Sequence, residues 1–147
     1  MYKHILVPTD GSDLSVRAIS HAVALAQATG ARVTGLFVAP APTPLVFEGL
    51  LPVDYLQPEE HAALSARAAA RYLEAIDKRA AAAGVPYTGV TVTDEFAADA
   101  ILQQAAKRKC DLIVMASHGR RGLRGLLLGS ETQKVLAGAK VPVLVCR

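Results

Sequence analysis

The sequence predicts an α/β fold, a doubly wound five-stranded parallel sheet with helices on both faces. Three observations predict it. Short apolar or β-branched runs alternate with longer stretches of helical period along the chain. The first run, His4-Ile5-Leu6-Val7, carries the unbroken apolar character of a strand covered on both faces. The repeated strand-helix-strand units imply right-handed crossovers, and such crossovers produce parallel pairing.

Each element follows in order. His4 to Val7 is the first strand. From about Ser12 to Thr29, Ile19, Ala22, Val23 and Ala26 recur at the spacing of one helix face, and Gly30 stops the helix. Arg32 to Val38 is the second strand. Ala39 to Pro58 holds Pro40, Pro42, Pro44, Pro52 and Pro58 and reads as an irregular loop or lid. The next helix starts at Pro58-Glu59-Glu60, residue types suited to a helix N-terminus, and presents Ala69, Tyr72, Leu73, Ile76, Ala80 and Ala83 on one face up to Gly84-Val85-Pro86. Tyr87 to Thr93 is the third strand. Asp94 is expected to cap a helix buried through Ala98, Ile101, Leu102 and Ala105, with Lys107, Arg108 and Lys109 complementing its C-terminal dipole. Asp111 to Ser117 is the fourth strand, His118 to Gly129 a Gly/Arg-rich loop, Ser130 to Gly138 a helix and Val141 to Cys146 the last strand. No internal repeat or second domain is seen, so residues 1–147 read as one domain.

Composition narrows the function classes. The 147 residues are 52% hydrophobic and 20% charged, with 16 Lys+Arg against 13 Asp+Glu, which excludes intrinsic disorder. The longest apolar stretch, Leu112 to Ala116, falls far short of the ~20 residues of a membrane span. The N-terminal apolar run is too short for a secretory signal, so a cytoplasmic location is expected. Cys110 and Cys146 follow no metal or redox spacing and read as reduced apolar fillers. A net charge of +3, 5% aromatic residues and no Trp argue against nucleic-acid binding.

Ligands of an open parallel sheet sit beyond the carboxyl ends of its strands, where strand order reverses. Two segments lie there. The first, Val7 to Asp13, places Asp10 and the hydroxyls of Thr9 and Ser12 at a strand-to-helix turn, where Asp10 either accepts from a ribose or shapes the turn. The second, Ala116 to Gln133, is denser in information. Its glycines let amides approach an anion, and the helix start at Ser130 adds unpaired donors and a positive dipole end. Phosphate is the natural guest. His118, Arg120, Arg121 and Arg124 add positive charge or stand solvated, and Ser130 with Gln133 also fits a capping box.

Other chemistries fail on spacing. No P-loop or G-x-G-x-x-G pattern occurs, and Ser117 lacks the frame of a hydrolase elbow, its neighbour His118 being expected to point away along an extended chain. The histidines His4, His21, His61 and His118 show no zinc-ligand spacing, and His21 and His61 are expected on helix surfaces.

The second segment resembles the nucleotide-binding branch of the universal stress protein family. Its fingerprint is a glycine, two residues, a glycine, nine residues, then Gly-Ser or Gly-Thr. Gly119, nine residues and Gly129-Ser130 match the long part, while Ala116 stands at the first glycine and puts one methyl near the place for sugar or base. The likeness extends over Lys3 to Ser12, Leu36 to Val38, Leu112 to Gly119 and Val141 to Val145, with Ala39 to Pro58 lacking a counterpart. It implies a Rossmann-like sandwich of strand order 3-2-1-4-5, which sets strands one and four side by side. It further implies that Pro8, Thr9 and Asp10 line adenine and ribose, and that Val38 and Met115 contact the base. Ala116, His118, Gly119, Arg120, Gly122, Gly129, Ser130, Glu131 and Thr132 complete the implied nucleotide site, with phosphates held largely by main-chain donors. ATP is the implied ligand, with Mg²⁺ or Mn²⁺ carried mainly by its phosphates.

No residue in this reading looks like a tuned general base, so at most slow ATP hydrolysis is expected from a sensor or regulator of the stress response. The last strand is an apolar edge at the end of the chain, from which a homodimer through Val141 to Cys146 follows, as in many family members, unless the loop from Ala39 to Pro58 shields the edge or the strand is too short to matter. A regulatory protein partner is implied without being specified. The alternative is a nucleotide-free interaction module of the same fold, favoured by Ala116. An adenylating enzyme would need a Ser-Gly-Gly-rich turn after strand one, which Asp10-Gly11-Ser12-Asp13 does not supply.

Overall fold

The computed structural model describes residues 1–42, 57–119 and 127–147. Its elements are β1 (His4–Pro8), α1 (Asp13–Thr29), β2 (Arg32–Ala39), α2 (Pro58–Ala82), β3 (Tyr87–Thr93), α3 (Ala97–Lys107), β4 (Leu112–Ala116), α4 (Ser130–Gly138) and β5 (Val143–Cys146). The strands form one five-stranded sheet of order β3-β2-β1-β4-β5, and every pairing is parallel. The expected fold and strand order are what the structure shows. Of the loop expected from Ala39 to Pro58, residues 43–56 lie outside the described residues.

The apolar alternation along the strands supplies two cores, one per face. Ile5, Val7, Val33, Leu112 and Val114 meet Ala18, Ile19, Ala22 and Val23 of α1 and Ile76 and Ala80 of α2. On the opposite face Leu6, Leu36, Ile113 and Met115 meet Ala98, Ile101 and Ala105 of α3 and Val135 of α4. β1 and β4 are buried almost throughout because helices cover both sides, which is why their sequences read as continuous apolar runs. Cys110 and Cys146 are buried, and burial pushes the Cys110 thiol up to about 11, as expected of apolar fillers. No helix among the described residues is long and apolar enough to cross a membrane.

Local signals set most ends. Ser12 caps α1 by accepting the Ser15 amide at 3.2 Å, and Gly30 closes it in the left-handed region at φ 71°. One expected cap is corrected, and one open capping alternative is decided. Asp94 does not cap α3: its carboxylate accepts the Phe96 amide at 2.9 Å in a turn before the helix, and the Ala98 amide of the first turn is met by Glu131 of α4 at 2.9 Å. A carboxylate distant in sequence has taken the role of the local one. Likewise Ser130 and Gln133 form no capping box, because Gly129 is the N-cap and the Gln133 side chain donates to the Leu128 carbonyl at 3.0 Å. The last strand begins at Val143 rather than Val141.

Ile113 is fully buried between β1, β5 and the α3–α4 layer. Ile113→Ala should lower unfolding free energy by about 2–5 kcal/mol in urea denaturation, whereas Leu64→Ala on the exposed side of α2 should change it by less than about 0.5 kcal/mol.

Candidate functional site

Pairing of β1 with β4 brings the two segments singled out in the sequence to one end of the sheet. β1 ends at Pro8, and Thr9 follows with its amide donating to the Leu36 carbonyl at 2.9 Å. The Thr9 hydroxyl is buried, bonds the Ser15 hydroxyl at 3.1 Å and accepts the Gly11 amide at 3.2 Å. Asp10 accepts the Ser12 amide at 3.0 Å and so shapes the turn, one of the two roles open to it. Its other carboxylate oxygen stands where a side chain on Gly119 would be, only 2.5 Å from an ideal Cβ there. Asp10 and Gly119, one from each segment, are therefore direct neighbours.

Gly11 has φ +76°, and a Cβ on it would enter the ring of Tyr72 from α2. That ring in turn meets Phe37 of β2 edge-on at 5.6 Å between centroids. The turn after β1 is thus seated on an aromatic pair, and only glycine fits its closest point. Tyr72 is legible in the sequence as a residue on the core face of its helix, but its place under the Asp10 turn is not.

The second segment is tied to the end of β4. The Ser117 amide donates to the Cys146 carbonyl at 2.7 Å, and the Gly129 amide donates back to the Ser117 carbonyl at 2.8 Å. The buried Thr132 hydroxyl donates to the carbonyls of Ala116 at 3.0 Å and Ser117 at 3.1 Å. The first intrahelical bond of α4 runs from the Gln133 amide to the Gly129 carbonyl, so the amides of Ser130, Glu131 and Thr132 precede the helical ladder. A Cβ on Gly129 would come to 3.3 Å from the Ser117 carbonyl oxygen and 3.4 Å from the His118 Cα.

Other expected site residues fall as follows. Met115 is buried and Val38 half-buried in the core under α3 and α4. The Ala116 methyl belongs to the core under α1. The Glu131 carboxylate is engaged by the Ala98 amide and by Lys134 at 2.9 Å, and the Lys134 contact, followed by the Ala98 amide, holds it below its ordinary range against the effect of burial. Ser130 is exposed. Arg120 and Gly122, together with Arg121 and Arg124, lie outside the described residues. His118 differs from expectation: it does not point away from Ser117, since its Nδ1 and the Ser117 hydroxyl share a hydrogen bond of 3.1 Å. The chain leaves the extended conformation immediately after β4, and the two side chains converge.

A profile of the universal stress protein family matches residues 1–147. The chain belongs to the universal stress protein family. A universal stress protein of Thermus aquaticus, from the region 3′ of its QAH/OAS sulfhydrylase, is 41% identical over the whole of both chains. Among solved structures, the hypothetical protein MJ0577 superposes with a TM-score of 0.80 at 29% identity, over 99% of this chain and 96% of the other. A universal stress protein in complex with cAMP superposes with a TM-score of 0.72 at 28% identity, over 99% of this chain and 97% of the other. This universal stress protein thus shares its architecture with a relative solved in complex with cAMP.

Thr132→Val keeps the shape of the side chain and removes its only donor. It should lower stability by about 1–3 kcal/mol in thermal or urea unfolding, because the hydroxyl bridges two strand-end carbonyls from a buried position.

Proposed function

We propose that this universal stress protein binds ATP in the crevice between the carboxyl ends of β1 and β4 and acts as a nucleotide-dependent regulator of the stress response. The observation that carries the reading is the contact of Asp10 with Gly119, which joins a carboxylate suited to a ribose with a glycine-bearing turn suited to phosphates. The cAMP complex of a relative supports the adenine-nucleotide class. In this reading Pro8, Thr9, Asp10, Val38 and Met115 border base and ribose, Val38 and Met115 through main chain or the apolar layer. Gly119 and the amides of Ser130, Glu131 and Thr132 receive the phosphates, with His118, Arg120 and Gly122 beside them. Gly119 and Gly129 fit such a guest, since a side chain at either would meet Asp10 or the β4 terminus. Mg²⁺ or Mn²⁺ would supply charge neutralisation on the phosphate oxygens. The protein's own groups position and bind; turnover of ATP is slow or absent. That the Ala116 methyl packs in the core under α1 supports this reading despite the family glycine at that position.

Isothermal titration with ATP, AMP and cyclic AMP, with and without Mg²⁺, tests the reading. ATP should bind to the parent protein, and Gly129→Val should weaken binding by at least about a hundredfold, the order of one or two lost charge-assisted hydrogen bonds. A parent protein that binds none of the three overturns the proposal and leaves the nucleotide-free interaction module.

The dimer belongs to the same proposal. β5 is an edge strand paired only with β4 among the described residues, and Leu144 on it is 41% exposed. Light scattering after size exclusion should give a dimer for the parent and a monomer for Leu144→Glu, and a cytoplasmic homodimer is the state in which a regulatory protein partner would meet it.

A further inference from the structure

The opposite, amino-terminal edge of the sheet carries a cavity of about 350 Å³ lined by His4, Arg32, Thr34, Thr88, Lys107 and Arg108. That volume lies at the lower end of small-molecule pockets. Register explains the lining: His4 pairs with Arg32 and Thr34 with Thr88, so all four side chains leave the sheet on the face that α3 covers. The C-terminal end of α3 supplies Lys107 and Arg108 as a wall. No carboxylate lines the cavity, and none forms an ion pair with Arg32, Lys107 or Arg108 among the described residues. The nearest acid, Asp111, is turned to the amides of Lys3 at 2.8 Å and His4 at 3.0 Å.

Two further features show construction beyond a helix end dressed with cations. His4 is 93% buried, its Nε2 bonds the Thr34 hydroxyl at 2.8 Å, and the Arg108 carbonyl faces the ring. Arg108 donates from Nε to the Gln104 side chain at 3.1 Å, which fixes the guanidinium plane and leaves its terminal nitrogens available. A concave surface with three cations, two hydroxyls and a buried imidazole matches a tetrahedral oxyanion.

We propose that this cavity is a second binding site, for a small phosphate-bearing molecule or inorganic phosphate, at the sheet edge opposite the nucleotide crevice. The two sites stand roughly 16 Å apart along β1, from His4 to Thr9 at about 3.3 Å per residue, so one nucleotide tail does not fill both by bending back. The proposal does not rest on the ATP reading. Burial and then the charge of Arg32 hold the His4 ring below its ordinary range, Arg108 adds to this through its charge, and the Arg108 carbonyl and the Asp111 carboxylate act in the opposite sense. Lys107 lines the same cavity. A bound dianion beside these groups favours the imidazolium, so binding takes up a proton and the His4 titration midpoint rises.

The probes are inorganic phosphate and glycerol 3-phosphate, followed by NMR on the whole protein. Either should shift the His4 ring and the Arg32 and Thr88 amides and raise the His4 midpoint. Tighter binding of the ester marks an organic phosphate as the guest, and equal binding marks phosphate itself. Arg32→Gln combined with Lys107→Gln, both at exposed positions, should weaken this response at least about tenfold while ATP titration and thermal midpoint stay as in the parent. Shifts confined to Gly119 and Gly129, or a double variant that binds phosphate as tightly as the parent, overturn the proposal.

Discussion

The geometry of the crevice depends on how the end of β4 is tied to the start of α4. Thr132 reaches back to the Ala116 and Ser117 carbonyls, and the Gly129 amide closes on Ser117 from the other side. These bonds satisfy carbonyls that have run out of sheet partners, and they do so from buried positions where an unmet acceptor is costly. They also orient α4, so that its first amides open beside the carboxyl end of the sheet. The glycine at 129 is required by closeness rather than by dihedral angle: its backbone is extended, at φ −68°, and the space for a side chain is taken by β4.

On the other side of the crevice the constraint is packing. The Asp10 turn lies on Tyr72, which lies on Phe37, so a helix and a strand from the far half of the sheet support the residue that meets Gly119. α2 therefore supports this turn through Tyr72. Thr9 and Ser15, bonded to one another out of solvent, fix the same turn from the α1 side. The carboxylate of Asp10 is held between these supports by its bond from the Ser12 amide.

The fold was legible in the sequence because strands buried on both faces must be apolar throughout and helices buried on one face must be periodic. β1, β4 and α1 show those patterns without interruption. The places where local reading failed are those where a partner distant in sequence replaced the near one. Asp94 has the chemistry of a cap, yet Glu131 meets the α3 amide, since α3 and α4 lie side by side on one face. Ser130 and Gln133 have the spacing of a capping box, yet Gly129 stands at the cap because Thr132 sets where the helix begins. For the site, the residue types and their strand-end positions could be read. That Glu131 is engaged elsewhere through its side chain, and that Tyr72 underlies Gly11, follow only from tertiary contacts.

The Ser117–His118 contact sharpens the distinction between binding and catalysis. A serine bonded to an imidazole suggests an activated nucleophile, but three features oppose that role. Ser117 is 2% exposed, so a substrate carbonyl or phosphorus has no approach to its oxygen. The two residues are adjacent, with Nδ1 rather than Nε2 facing the hydroxyl, and among the described residues no partner orients the far ring nitrogen as the third member of a triad does. Both main-chain polar groups of Ser117 are engaged as well, the amide by Cys146 and the carbonyl by Gly129 and Thr132, so the residue cannot swing outward without opening the β4 terminus. The pair is better understood as a clasp that fixes the imidazole at the end of β4, beside Gly119.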